Sequence, residues 1–192
     1  MALDSAIKNQ LQEYMTRLVN PIKLVAYVDE NPASKEMIEM LEEVKSLSEK
    51  ITLSKEVDTS KRIPSFEVNR EREISGITFA GIPSGHEFTS FVLALLQASG
   101  YPLKIEAEKI EQIKNIEGNF HFETYISLSC HNCPDVVQAL NAMSIINPNI
   151  SHVMIDGALF QKKLKINRLW LYQLFSLMEK FSVKEEWSLM RL

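Results

Sequence analysis

The sequence predicts an α/β fold built from two tandem βαβ-based units, with a mixed sheet and flanking helices. Two observations carry this. A strand–helix–strand pattern over residues 22–57 recurs over about 120–155, an offset close to 100 residues. Within each copy the strands are separated by helix-length segments, the spacing of parallel units with right-handed crossovers. A single α/β domain without a true repeat is the alternative that the pattern leaves open.

The elements follow in order. Residues 2–18 place Leu3, Ile7, Leu11, Met15 and Leu18 at helical spacing. Ile22–Val28 is rich in β-formers and predicts a strand. Ser34 is a plausible N-cap for a helix with Met37, Ile38, Leu41 and Val44 on one face. Ile51–Val57, Ser65–Val68 and Ile77–Ala80 predict strands, and His86–Ser99 predicts a helix ended by Gly100. A charged amphipathic segment spans Leu103–Ile116. Phe120–Leu128 predicts a strand, Asn132–Ile145 a helix with Val136, Val137, Leu140 and Met143 inward, and Ile150–Ile155 a strand. Two thioredoxin-like units in tandem fit this order.

Composition narrows the function. Apolar residues at 45% and charged residues at 24% describe a soluble globular chain, with no run long enough to cross a bilayer. A net charge of −4 argues against nonspecific nucleic-acid binding. The N-terminus has neither a basic start nor an apolar core, so no export signal is expected. Two cysteines then point to a reducing cytoplasm, where a paired motif is catalytic or metal-binding rather than a structural framework.

Those cysteines, Cys130 and Cys133, sit in SLSCHNCPDVVQAL at the start of a helix. A helix N-terminus offers unpaired N–H groups and a positive dipole end, which stabilise a thiolate on Cys130. Cys133 is one turn on. The expected chemistry is exchange: Cys130 attacks a substrate disulfide and Cys133 resolves the mixed disulfide. Pro134 suits a first helical turn, and His131 adds positive character when protonated. Two alternatives stand beside this. Zinc needs about four ligands, which only His121 and His131 could complete; no metal site is expected. The spacing could also be that of two inert thiols. Among the other candidates, His152 alternates with apolar residues on a strand and is expected on a solvated face. His86 starts a helix. Glu87 beside it is either a proton-handling carboxylate near the thiols or a first-turn acid favouring the helix dipole.

Two long stretches, TFAGIPSGHEFTSFVLALLQASG at 78–100 and HFETYISLSCHNCPDVVQALNAMSIINPNISHVMIDGALF at 121–160, carry a resemblance. Up to about Phe160 the chain resembles the N-terminal domain of the large flavoprotein component of bacterial alkyl hydroperoxide reductase. The resemblance implies two fused thioredoxin-like folds with one active dithiol. It implies a relay of electrons from a flavin and dithiol reductase domain to the disulfide of a partner peroxiredoxin. It makes Cys130 the attacking thiol, Cys133 the resolving thiol and Glu87 the acidic residue near them. Pro64, in KRIPSFEV, falls where the first fold would carry a cis-proline. The complete family protein holds FAD and NADH; this sequence has no G-x-G-x-x-G, so no cofactor is expected to bind it.

The implied organisation is 1–100, a unit without a dithiol; 101–161, a thioredoxin-like or glutaredoxin-like unit with the C-x-x-C, incomplete at its C-terminus; and 162–192, a non-homologous tail. The tail carries 7 basic and 3 acidic side chains, leaving 14 and 22 for residues 1–161, and holds both tryptophans, Trp170 and Trp187. With one allowed codon choice, Leu169–Leu177 read from the third base of the first codon gives Met-Ala-Val-Pro-Thr-Ile-Phe-Phe. The codons of Met178–Trp187 continue it as Asn-Gly-Glu-Ile-Phe-Ser-Glu-Gly-Arg-Met. That is the family's cis-proline strand and hairpin, so a frameshift near residues 161–168 is the working hypothesis, a genuine mutation or a sequencing error. Codons that forbid the shifted frame would sink it. The missing strands should pair beside the dithiol strand, so exposed sheet edge and apolar surface are expected. An inactive remnant or a non-catalytic peroxiredoxin-docking module is the alternative to a working relay.

Overall fold

A computed structural model describes residues 5–160. The tail 162–192 and its frameshift reading lie outside the described residues. Within them α1 is Ser5–Met15, β1 Ile22–Tyr27, α2 Pro32–Ser46, β2 Ile51–Glu56, β3 Ser65–Arg70 and β4 Ile77–Ala80. A 3₁₀ turn, Gly85–Glu87, leads into α3, Phe88–Ala98. Then follow α4, Ala107–Lys114; β5, Phe120–Ile126; α5, Cys133–Ile146; and β6, Ile150–Asp156.

One six-stranded mixed sheet runs β2-β1-β3-β4-β6-β5. The β1–α2–β2 and β5–α5–β6 segments are both parallel pairs, the repeat that the sequence spacing implied. β3 is antiparallel to both its neighbours, β1 and β4, and β4 joins β6 in parallel. The sheet is therefore continuous from one copy of the repeat to the other.

Alternate strand residues meet the helices. Leu11 and Met15 of α1, Met37 and Leu41 of α2, Leu95 of α3 and Val137 of α5 share a core with Leu24, Phe66, Phe79 and Met154. At its centre Phe66 stacks on Phe79 with centroids 5.3 Å apart, and Phe91 meets both edge-on at 5.3 and 5.8 Å. On the other face, Ala80, Val153 and Ile155 cluster with Tyr125 and Phe160.

Two local expectations change. The N-cap of α2 is Asn31, not Ser34: the Asn31 side chain accepts from the Ser34 N–H at 2.8 Å, and Pro32 opens the helix. Ser34 lies inside the first turn and donates its hydroxyl to Asp29 Oδ1 at 2.6 Å. The charged segment 103–116 is helical only over Ala107–Lys114; Leu103 and Ile105 instead lie against Ala139 and Ala142 of α5. Gly100 does end α3: its φ of +98° lets Gly100 and Tyr101 N–H close on Gln97 and Leu96 carbonyls at 3.0 Å. The Ile63–Pro64 peptide is cis.

Candidate redox site

The site sits where β5 hands over to α5. The connecting residues 127–132 form a tight turn in which the Cys130 N–H donates to Ser127 O at 2.9 Å. Cys130 lies two residues before the N-cap, Asn132, and Cys133 is the first residue of α5. The helix thus starts one residue later than the sequence suggests. The two cysteines form a disulfide with Cα atoms 5.5 Å apart. Both are half-buried, and Cys133 packs on the main core. Asn132 makes no side-chain cap bond and Pro134 has no N–H. The free first-turn N–H groups of α5, with the positive dipole end, are therefore presented to the sulfurs.

A second wall comes from the 3₁₀ turn. Gly85 has φ +58°, and a Cβ there would stand 2.8 Å from Leu128 O, so the turn can press on the dithiol loop only with glycine at this position. The His86 N–H donates to Leu128 O at 3.4 Å. The His86 ring meets the His131 ring with centroids 4.3 Å apart, tilted by 57°. The His131 Nδ1–H in turn donates to Ser129 O at 3.2 Å.

Glu87 follows His86 and is fully buried. Neither of its carboxylate oxygens has a hydrogen-bond partner. Burial pushes the carboxyl up to about 7; the Ser90 hydroxyl, short of hydrogen-bond geometry, pulls it down, and the Asp135 charge on α5 pushes it further up. Glu87 stands at the N-cap position of α3, but its side chain makes no cap bond there. The structure brings Glu87 to the amino end of α5, between α3 and the dithiol helix. Nothing in the spacing of residues 86, 87, 90, 131 and 135 announces that they meet; packing of α3 against α5 does it.

The remaining histidines separate from the site. His152 is not solvated: it is fully buried, because β6 is a central strand covered by α5. One ring nitrogen pairs with Asn141 Oδ1 at 2.7 Å and the other with Thr124 Oγ1 at 2.9 Å. Burial, then the neighbouring His121, holds it down to about 3, so it is neutral. His121 lies at the far end of β5, bonded to Ser151 at 2.8 Å and roughly 17 Å along the strand from the dithiol end. It does not reach the sulfurs, so the zinc set weighed from the sequence does not assemble. Of the three strand-to-helix turns among the described residues, 28–31 and 127–132 contain no glycine, and the glycines of the third, Gly81 and Gly85, are closed against Asp156 and Leu128 of the protein itself. These residues do not fit a dinucleotide. No helix among the described residues is long and apolar enough to cross a membrane.

No protein-family model matches the chain. Among curated proteins, the alkyl hydroperoxide reductase component AhpF of Pseudomonas aeruginosa is 51% identical over 167 residues, covering 87% of this chain and 32% of the relative. A Bacillus subtilis protein named NADH dehydrogenase is 54% identical over 165 residues, again 32% of its length. Among solved structures, the N-terminal domain of the Enterococcus faecalis alkyl hydroperoxide reductase AhpF superposes with a TM-score of 0.77 at 30% identity, covering 84% of this chain and 83% of that one. This chain belongs to the family of AhpF N-terminal domains. It spans about a third of the length of the curated relatives it matches. A protein disulfide oxidoreductase from Aeropyrum pernix, TM-score 0.72 at 19% identity, shares the fold. The Cys130–Cys133 pair of this AhpF-family domain fits a redox-active disulfide.

Proposed function

We propose that this chain is a dithiol–disulfide relay in the cytoplasm, passing electron pairs from a flavin and dithiol reductase domain to the disulfide of a peroxiredoxin in alkyl hydroperoxide detoxification. We read its organisation as units 1–100 and 101–161 followed by 162–192. Once the chain is reduced, the Cys130 thiolate attacks one sulfur of the substrate disulfide. That S–S bond breaks, a mixed disulfide forms, and the departing substrate thiolate takes a proton. Cys133 then attacks Cys130 Sγ, releasing the second substrate thiol and closing the Cys130–Cys133 bond. Two electrons have moved, the substrate is reduced and the chain is oxidised. Glu87 accepts the proton that Cys133 must lose before it attacks, a role suited to a carboxyl that titrates near 7.

The observation that carries this reading is the Cys130–Cys133 disulfide at the uncapped start of α5. A glutathione titration of the full chain, read by alkylation and mass, tests it. A single intramolecular couple near a thioredoxin-like potential, about −270 mV or somewhat higher, is expected. Glutathione adducts on both cysteines with no discrete couple would refute it. A remnant without turnover is the second reading, favoured by the outer edge of β5, which has no neighbour among the described residues.

A further inference from the structure

His86 enters no step of the relay, yet it reaches the dithiol loop from a distant part of the sequence. It stands on the 3₁₀ turn Gly85–Glu87, ahead of α3. Two contacts fix it against the loop. Its N–H donates to Leu128 O at 3.4 Å, and glycine at 85 lets the turn close on that same carbonyl. Its ring lies 4.3 Å, centroid to centroid, from the ring of His131, the residue next to Cys130. The His131 Nδ1–H donates to Ser129 O, so this ring is tied to its own loop on one side and braced by His86 on the other. Both histidines are exposed, so neither ring is there to fill a core. Two side chains with water on offer instead meet over the loop that carries the thiols.

We infer that His86 is a positioning residue for the relay: it holds the His131 imidazole beside Cys130, so that protonated His131 supports the Cys130 thiolate. This rests on the proposed relay, in which Cys130 attacks. The attacking thiol must be ionised, and the first-turn N–H groups and dipole end of α5 supply one share of the stabilisation. Imidazole supplies another, because it gains its charge between pH 5 and 8. At about 6 Å, the reach of adjacent side chains, and an effective dielectric constant of about 40, one charge changes the thiolate population by about tenfold. Two carboxyls share this corner, Glu87 on the 3₁₀ turn and Asp135 in the first turn of α5. Both stay in place when residue 86 is changed, so the comparison isolates the histidine. A stabilised thiolate also favours the reduced dithiol, so His86 makes the Cys130–Cys133 disulfide easier to reduce.

The test is the rate at which Cys130 reacts with iodoacetamide from pH 5.5 to 9, in full-length chains carrying Cys133→Ser so that one thiol remains. His86→Ala should slow the reaction by about three- to tenfold at pH 6, and the gap should close by pH 9, where imidazole is neutral. His131→Ala should cause the same loss, and the double variant no more than either single one, because His86 acts through His131. His86→Phe, which keeps a ring against His131, should recover most of the rate. With both cysteines present, His86→Ala should shift the glutathione equilibrium at pH 6 toward the disulfide by a similar factor. Circular dichroism and denaturant midpoint of His86→Ala should stay close to the parent. Equal rates for His86→Ala and parent at every pH overturn the inference. So does a gap that persists unchanged at pH 9, which marks a merely structural role, or additive losses in the double variant. If Cys130 of the parent reacts at pH 6 no faster than free glutathione, the relay reading falls together with this one.

Discussion

Replacing Glu87 by glutamine should make the protein more stable and a worse relay at the same time. The ordinary carboxyl titrates at 4.5 and the buried one at about 7. At 1.36 kcal/mol per pH unit, that gap amounts to ~3 kcal/mol held against the folded state once Glu87 is ionised. The sign follows from proton counting. Between pH 4.5 and 7 the folded chain keeps a proton that the unfolded chain has lost, so stability falls as pH rises through this window. Above about 7 the loss is complete. Glutamine keeps the shape without the charge, but its buried amide still lacks partners. The net gain at pH 8 should therefore be ~1–3 kcal/mol, vanishing at pH 4 where the carboxyl is neutral in both states. Urea unfolding of both proteins at pH 4, 6 and 8, disulfide intact, measures it; effects of His152 are common to both and cancel. Disulfide exchange with a small disulfide at pH 7 should meanwhile slow by ~10²-fold, the usual scale for losing a general base. A gain independent of pH, or no gain at pH 8, would show that Glu87 is not held neutral by burial.

Cys133→Ser should trap a mixed disulfide between Cys130 and substrate, visible as a mass adduct, whereas Cys130→Ser should trap none. Because His152 is held down to about 3 against a usual 6.5, stability should fall as pH drops below 6.5, by up to ~1.4 kcal/mol per pH unit; His152→Gln should flatten that slope in acid-unfolding curves and itself cost ~1–3 kcal/mol at pH 7. Gly85→Ala should force the 3₁₀ turn away from Leu128 O, costing ~1–2 kcal/mol by denaturant midpoint and making the difference between Glu87 and its glutamine variant less dependent on pH. Arg62→Met should cost only ~0.5–1 kcal/mol, and less in high salt, since the Glu123 pair is partly exposed.

How far the sequence reaches is seen by comparing residues on one strand. β6 alternates Ser151, Val153 and Ile155 with His152 and Met154, a period-two pattern that suggests one wet face. The pattern misleads because β6 is flanked by β4 and β5 and covered by α5, so even His152 is dry and its nitrogens are satisfied by Asn141 and Thr124. Periodicity records which residues share a face, not whether that face meets water. The dithiol was readable because its signal is local: two cysteines three residues apart at one helix start. Glu87 was readable only as one of two roles, since its burial depends on α3 meeting α5, a contact across some fifty residues that no local window contains. The α2 cap shows the same limit at short range. Ser34 has the right chemistry for a cap, yet Asn31 three residues earlier wins because Pro32 presets the first turn.

The order of the strands bears on whether the redox helix can be held when β5 has no outer neighbour among the described residues. α5 rests on β6, and β6 is paired on both sides, to β4 over Ile77–Ala80 and to β5 over its whole length. The Asn141–His152–Thr124 chain ties the helix to both strands, and the Ser90–Gln138 bond of 3.2 Å ties it to α3. None of these contacts uses the outer edge of β5. Loss of a strand there removes backbone pairing from His121, Glu123 and Tyr125 but leaves Cys133 packed on a core to which α1, α2 and α3 contribute. Support for the thiols therefore comes from the side of the sheet that the first copy of the repeat supplies. The dithiol couple should accordingly survive conditions that expose β5. Hydrogen exchange can separate the two: the amides of His121, Glu123 and Tyr125 in the dilute chain should exchange fast, while those of Val137–Ser144 in α5 exchange only with global unfolding. Uniformly fast exchange in α5 would mean that the helix depends on the open edge after all.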